Sequence, residues 1–188
     1  MGNYRKANND RFWKLGQQTA HRCSKSFTSK IKEAKKGVDA LFLTNNLKCL
    51  PNFLGCYAEN QMSTLIIHTF PTFFIVNIDS YHMKGSHWLA IGIFQKSIEI
   101  YDPLGFTIFN WSRVPCNLLN FLHRMSIRKR IIVSPRIQPD NSTLCAFYCI
   151  FYLVLRQYCS LRRINSHVTI LFCTNFLNKF SAKCHVGL

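Results

Sequence analysis

The clearest pattern in the chain is a pair of short apolar runs on either side of a polar trio. Residues 88–94 (WLAIGIF) are continuously apolar, Gln95-Lys96-Ser97 breaks the run, and residues 98–102 (IEIYD) alternate apolar and polar positions before Pro103 and Gly105 end the pattern. Two apolar runs joined by a short polar turn predict a β-hairpin. An antiparallel pair of this kind brings His87 and Asp102 to the same open end.

The remaining pattern is mixed. Val38, Leu41, Phe42 and Leu43 open a short predicted helix, and Pro51-Asn52 with Gly55 punctuate a loop. Leu65-Ile66-Ile67, residues 73–78 and Ile131-Ile132-Val133 are rich in β-branched and aromatic side chains and predict strands. Leu118, Leu119, Phe121, Leu122 and Met125 recur at helical spacing within residues 113–130. Residues 145–158 predict a strongly apolar, buried helix, and residues 167–180 a last helix. Strands and helices in this mixture give an α+β class. The longest apolar run, residues 145–155, is about half of the roughly 18 residues a membrane span needs, so no membrane partner is expected.

Composition adds two constraints. With 188 residues and 48% hydrophobic positions, the chain can bury one substantial core, and sixteen Phe point to an aromatic one. Lys and Arg number 24 against 8 Asp and Glu, a formal net charge of +16, which attracts polyanions, nucleic acid first among them. Residues 1–36 hold many of these cations and few apolar positions. They are expected to form a basic, partly flexible arm ahead of a folded domain over residues 37–188. Arg128-Lys129-Arg130 form a second basic cluster, a candidate nucleic-acid contact.

Nine Cys, an odd number, and no apolar segment of signal-peptide type at the start favour reduced thiols over a disulfide scaffold. A reducing intracellular setting, nucleus or cytoplasm, is expected. Lys6 stands where a myristoylation motif wants Ser or Thr, so no lipid is expected. Cys173, Cys184 and His185 match no zinc spacing, and no metal is expected.

One cysteine stands where chemistry is possible. Cys145 follows a polar loop, residues 138–144, and opens the apolar helix. Unpaired N–H groups and the positive dipole end at a helix start favour a thiolate and can receive an oxyanion. A thiol also needs a base, and His87 with Asp102 behind it supplies one together with the group that orients it. Gln138, seven residues before Cys145, carries an amide able to donate to the same oxyanion. Cys149, one turn further along the helix, is expected to be buried packing, and Trp88 core filling beside the site.

These residues also carry a family resemblance. Gly85-Ser86-His87-Trp88-Leu89-Ala90, then Tyr101-Asp102-Pro103-Leu104-Gly105-Phe106, then Gln138-Pro139-Asp140-Asn141-Ser142 before Cys145, resemble in order the motifs of the adenovirus protease family, which is related to the ubiquitin-like-protein proteases. Pro51-Asn52-Phe53-Leu54-Gly55 resembles a segment upstream in that family, and the likeness spans residues 45–155 or so. The sequence departs from the family at Ala146, where Gly is usual after the nucleophile, and at Asp102, where the adenoviral enzymes commonly use Glu. The resemblance implies a cysteine-protease fold: a central mixed sheet packed by helices, with the nucleophile at the start of a buried helix. It implies a thiol endopeptidase that cleaves viral or virus-derived-element precursors with His87, Asp102, Gln138 and Cys145. It also implies activation by DNA and by a small peptide. The same triad serves an isopeptidase of ubiquitin-like modifiers, and Ala146 leaves open a decayed protease that binds nucleic acid.

Overall fold

The computed structural model describes residues 38–83, 86–105, 114–139, 142–161 and 164. The basic arm over residues 1–36, the helix expected over residues 167–180 and the group Cys173, Cys184 and His185 lie outside them, as do Gly85, Phe106, Asp140 and Asn141 of the family motifs. Among the described residues, five strands form one mixed sheet and three helices pack on it. The class is α+β.

The strands are β1 (Phe53–Ala58), β2 (Thr72–Asn77), β3 (Trp88–Ile93), β4 (Ser97–Tyr101) and β5 (Arg130–Val133), and they lie in the sheet in chain order. The two inner pairings, β2 with β3 and β3 with β4, are antiparallel; the outer two, β1 with β2 and β4 with β5, are parallel. The helices are α1 (Ala40–Leu47), α2 (Cys116–Ser126) and α3 (Cys145–Arg156).

Side-chain alternation along the strands builds two cores. Phe73, Ile75, Trp88, Ala90 and Tyr101 face one side, where they pack with Leu43 and Leu47 of α1 and the length of α3. Phe74, Val76, Leu89, Ile91, Ile93, Ile98 and Ile100 face the other, where Leu118, Phe121 and Leu122 of α2 cover them. With helices on both faces, the inner strands are buried on both sides, which is why β2 and β3 read as continuous apolar runs. α3 is apolar all round for the same reason: each residue from Cys145 to Leu155 is buried.

Local signals account for the helix ends. Asp39 caps α1 by accepting a hydrogen bond from the Phe42 N–H at 2.6 Å. Arg124 places positive charge in the last turn of α2, where the helix dipole favours it. Arg124 also donates to the Met62 carbonyl at 3.3 Å, and Asn117 to the Glu59 carboxylate at 3.0 Å, fixing α2 to the short 3-10 turn after β1.

Two expectations are corrected. The segment around Gly55, expected as a loop, is strand β1. Gly55 has φ +141 and the pairing register shifts between Phe53 and Gly55, so the glycine that marked a loop is a bulge inside a strand. Conversely, Leu65-Ile66-Ile67, expected as a strand, joins no ladder. Leu65 and Ile67 pack against the α2-side core and Ile66 is exposed, so the apolar run serves packing rather than pairing. The other boundaries moved by a few residues. α2 occupies Cys116–Ser126 within the expected 113–130, and α3 ends at Arg156 rather than at 158. Ser97, expected in the turn, begins β4, and Asp102 falls just past its end.

Among the described residues, no helix is long and apolar enough to cross a membrane.

Candidate active site

His87 stands one residue before β3. Its carbonyl accepts the Ile78 N–H at 3.1 Å, which extends the β2–β3 ladder by one rung and fixes the backbone that carries the imidazole. Asp102 stands one residue after β4. Since Ala90 pairs with Tyr101 across the hairpin, both side chains emerge at the same end of it. Their juncture is direct: His87 Nε2 lies 2.8 Å from Asp102 Oδ1, and both side chains are almost wholly buried.

The Asp102 carboxylate is held by its own turn. Oδ1 also accepts the Leu104 N–H at 3.0 Å, and the Asp102 carbonyl accepts the Gly105 N–H at 3.0 Å. Gly105 is required there: its φ is +68, and a Cβ would stand 2.9 Å from the Cβ of Arg136. Sequence reasoning missed Ser134 altogether. Its hydroxyl accepts the Asp102 N–H at 3.0 Å and approaches the Asp102 carbonyl at 3.2 Å, and no part of Ser134 reaches solvent. A serine just after a short strand carries no sequence signal of this role.

Cys145 is the first residue of α3 and is 7% exposed. Phe147 and Tyr148 both donate to the Leu144 carbonyl, at 3.0 and 3.1 Å. The N–H groups of Cys145 and Ala146 precede them at the helix start, where no intrahelical acceptor is available, and Leu144 supplies no capping side chain. Ala146 is buried in the core cluster beside Cys145. The helix runs over β3, and the Cys149 thiol donates to the Trp88 carbonyl at 3.3 Å, which ties this turn of α3 to the strand that begins beside His87.

The imidazole links both sides. Burial by itself would lower the His87 pKa, but hydrogen bonds to Asp102 and to the Cys145 thiol, with the charges of both, outweigh it and raise the value to about 9. Burial pushes Cys56 up to about 12, against a lowering hydrogen bond from Thr44, and burial, with nearby Cys145 and Asp102, drives Cys149 well above the ordinary thiol range. Cys149 is a packed thiol. Cys56, Cys116, Cys145, Cys149 and Cys159 are free, while Cys49 is disulfide-bonded, a departure from the expectation of reduced thiols.

Gln138 is buried at 2% exposure. Its backbone N–H donates to the Pro103 carbonyl at 2.8 Å, and its side-chain Nε2 donates to the Ser142 carbonyl in the loop leading to Cys145. One of two Nε2 hydrogens is thereby used, and among the described residues no acceptor is seen for the second. Of the four residues named from sequence, Asp102 and His87 are hydrogen-bonded, Cys145 acts on the same imidazole, and Gln138 is bonded to the loop before Cys145. Trp88 is buried in the core at the His87 end of β3, opposite Asn77.

The basic cluster lies elsewhere. Arg130 opens β5 opposite Ser97, the start of β4, whereas Asp102 follows its end; five strand steps of ~3.3 Å separate them by roughly 16 Å. Lys129 donates to the Gln95 carbonyl at 2.8 Å and sits 4.3 Å over the Phe70 ring, so it secures the β3–β4 turn. Arg128 and Arg130 are exposed. Among the described residues, no group of three or more His, Cys, Asp or Glu could hold a metal ion.

No protein-family model matches this chain, and no curated protein matches it either.

Proposed function

We propose that the chain is a cysteine endopeptidase of the adenovirus-protease type, acting on precursor proteins of a virus or virus-derived element. The observation that carries this reading is the buried His87–Asp102 pair, 2.8 Å apart, beside a helix-start thiol, Cys145, that acts on the same imidazole. The family's order of histidine, acid, glutamine and cysteine, the mixed sheet and the buried nucleophile helix are consistent with the cysteine-protease fold that the resemblance implies.

The mechanism follows from the groups present. His87 already holds the proton given up by Cys145, so the two act as an ion pair, and Asp102 stabilises the imidazolium. The thiolate attacks a peptide carbonyl, and the S–C bond forms as the carbonyl electrons move onto oxygen. The Cys145 N–H and the second Nε2 hydrogen of Gln138 receive that oxyanion. The C–N bond then breaks, and His87 gives its proton to the departing amine. A water, deprotonated by His87, attacks the thioester; the C–S bond breaks, a carboxylic acid product leaves, and the ion pair is restored.

A polyanion activator fits the +16 charge, with exposed Arg128 and Arg130 as a contact remote from the triad. A peptide activator belongs to the same proposal by resemblance alone. The test is cleavage of a fluorogenic peptide panel that includes Gly-Gly and small-x-Gly sites, with and without DNA, beside Cys145→Ala. Cleavage that vanishes in the variant supports the reading. No cleavage by folded, reduced wild type under any condition, with peptide activators included, points to a decayed nucleic-acid-binding protein.

A further inference from the structure

Two bonds at the carbonyl of the residue after the acid and two at the Ser134 hydroxyl converge on one short turn. The Pro103 carbonyl accepts two N–H groups, from Ile137 at 3.0 Å and from Gln138 at 2.8 Å. Ser134 is anchored at its own N–H, which donates to the Ile100 carbonyl of β4 at 2.9 Å, and its hydroxyl then meets both backbone polar groups of Asp102. Ser134 is therefore a brace between the chain leaving β5 and the end of β4. Residues 134–138 span the distance from that brace to the oxyanion glutamine in one short stretch. The acid and the glutamine are in consequence held by a common support rather than by two independent loops.

We propose that Ser134 is a positioning residue for the site: its hydroxyl fixes the backbone of Asp102, and through the Pro103 turn sets the acid and Gln138 in one frame. This rests on the catalytic reading of His87, Asp102 and Gln138, although the bracing of Asp102 can be read without any substrate. Removal of the hydroxyl leaves the Asp102 N–H buried without its acceptor, and the turn must shift to satisfy it. The carboxylate then loses its alignment with His87 Nε2. The groups that face the imidazole are Asp102 from the end of β4 and Cys145 from α3, with Cys149 one turn further along the helix. Only the first of these is touched by Ser134.

The experiment is NMR titration of His87, assigned by its loss in His87→Gln, in full-length chain carrying Cys145→Ala with and without Ser134→Ala. The proposal expects the His87 pKa to fall by about one pH unit when the hydroxyl is removed, since a displaced carboxylate no longer favours the imidazolium. An unchanged pKa in a folded Ser134→Ala protein overturns it. Should that variant not fold, Ser134→Cys keeps the shape but weakens the bond; a lowered His87 pKa supports the brace and an unchanged one overturns it. Because Cys145 is absent from both arms, a failure of the protease reading shows as no cleavage by wild type and leaves this titration intact. In active protein, Ser134→Ala is expected to lower kcat about tenfold or more with KM little changed, the signature of a misaligned acid rather than a lost substrate contact.

Discussion

His87 Nε2 and Asp102 Oδ1 lie 2.8 Å apart with side chains 5% and 0% exposed, and this pairing makes the imidazole the most informative titrating group among the described residues. Its pKa is raised on folding from an ordinary 6.5 to about 9. A group raised in this way stabilises the fold fully below its unfolded value, and that stabilisation is lost as pH rises through the folded value. Wild-type stability to urea should therefore fall between about pH 6.5 and pH 9. His87→Gln should flatten the curve in that window, and a slope that survives the substitution would assign it to another group.

The same value sets an alkaline limit on activity. In the proposed mechanism the departing amine takes its proton from the His87 imidazolium, so turnover should decline as pH passes about 9. Asp102→Asn removes the charge that helps to hold the value up, and should shift this limb to lower pH as well as reduce the rate. The pH profile of kcat/KM measures both effects.

Gln138→Ala should lower kcat about 10²- to 10³-fold, the cost of removing one oxyanion donor, with KM little altered. Steady-state kinetics on a peptide substrate decide it. A variant that raises KM and leaves kcat intact would make Gln138 a substrate-binding residue instead.

Away from the site, Gly92 stands opposite Glu99 in the β3–β4 ladder, and the missing side chain makes room for Tyr152. A Cβ at Gly92 would come 2.9 Å from the Tyr152 hydroxyl and 3.0 Å from the Phe94 ring. That hydroxyl donates to the buried Glu99 carboxylate at 2.8 Å, and Arg156 closes the pair with two further bonds at 2.7 and 3.1 Å. Gly92→Ala should cost about 1–3 kcal/mol by overpacking. Arg156→Met, which leaves the carboxylate short of its cation, should cost about 3 kcal/mol. Urea denaturation at neutral pH measures both.

The hairpin was legible in sequence because its alternation and its turn are local, and with it the meeting of His87 and Asp102. The helix that starts at Cys145 was legible from its apolar run. What escaped were features decided by distant partners. Gly55 broke the apparent strand, yet pairing with β2 tolerates it as a bulge. Glu99 read as an ordinary polar position in an alternating strand, but alternation only assigns it a face, and that face turned out to be covered by α3 with Tyr152 and Arg156 waiting there. Ser134 escaped because its partner is 32 residues away in sequence and touches it through backbone atoms, which leave no mark on residue type.

The activation of Cys145 by His87 is the central claim, and alkylation by iodoacetamide near pH 7 reads it without any substrate. Mass spectrometry gives the rate at each free thiol. Cys145 should react faster than Cys56, Cys116, Cys149 and Cys159, and His87→Ala should slow it selectively, about tenfold or more, as the imidazolium that supports the thiolate is lost. Equal rates at the exposed Cys116 and at Cys145, unchanged by His87→Ala, would contradict the account.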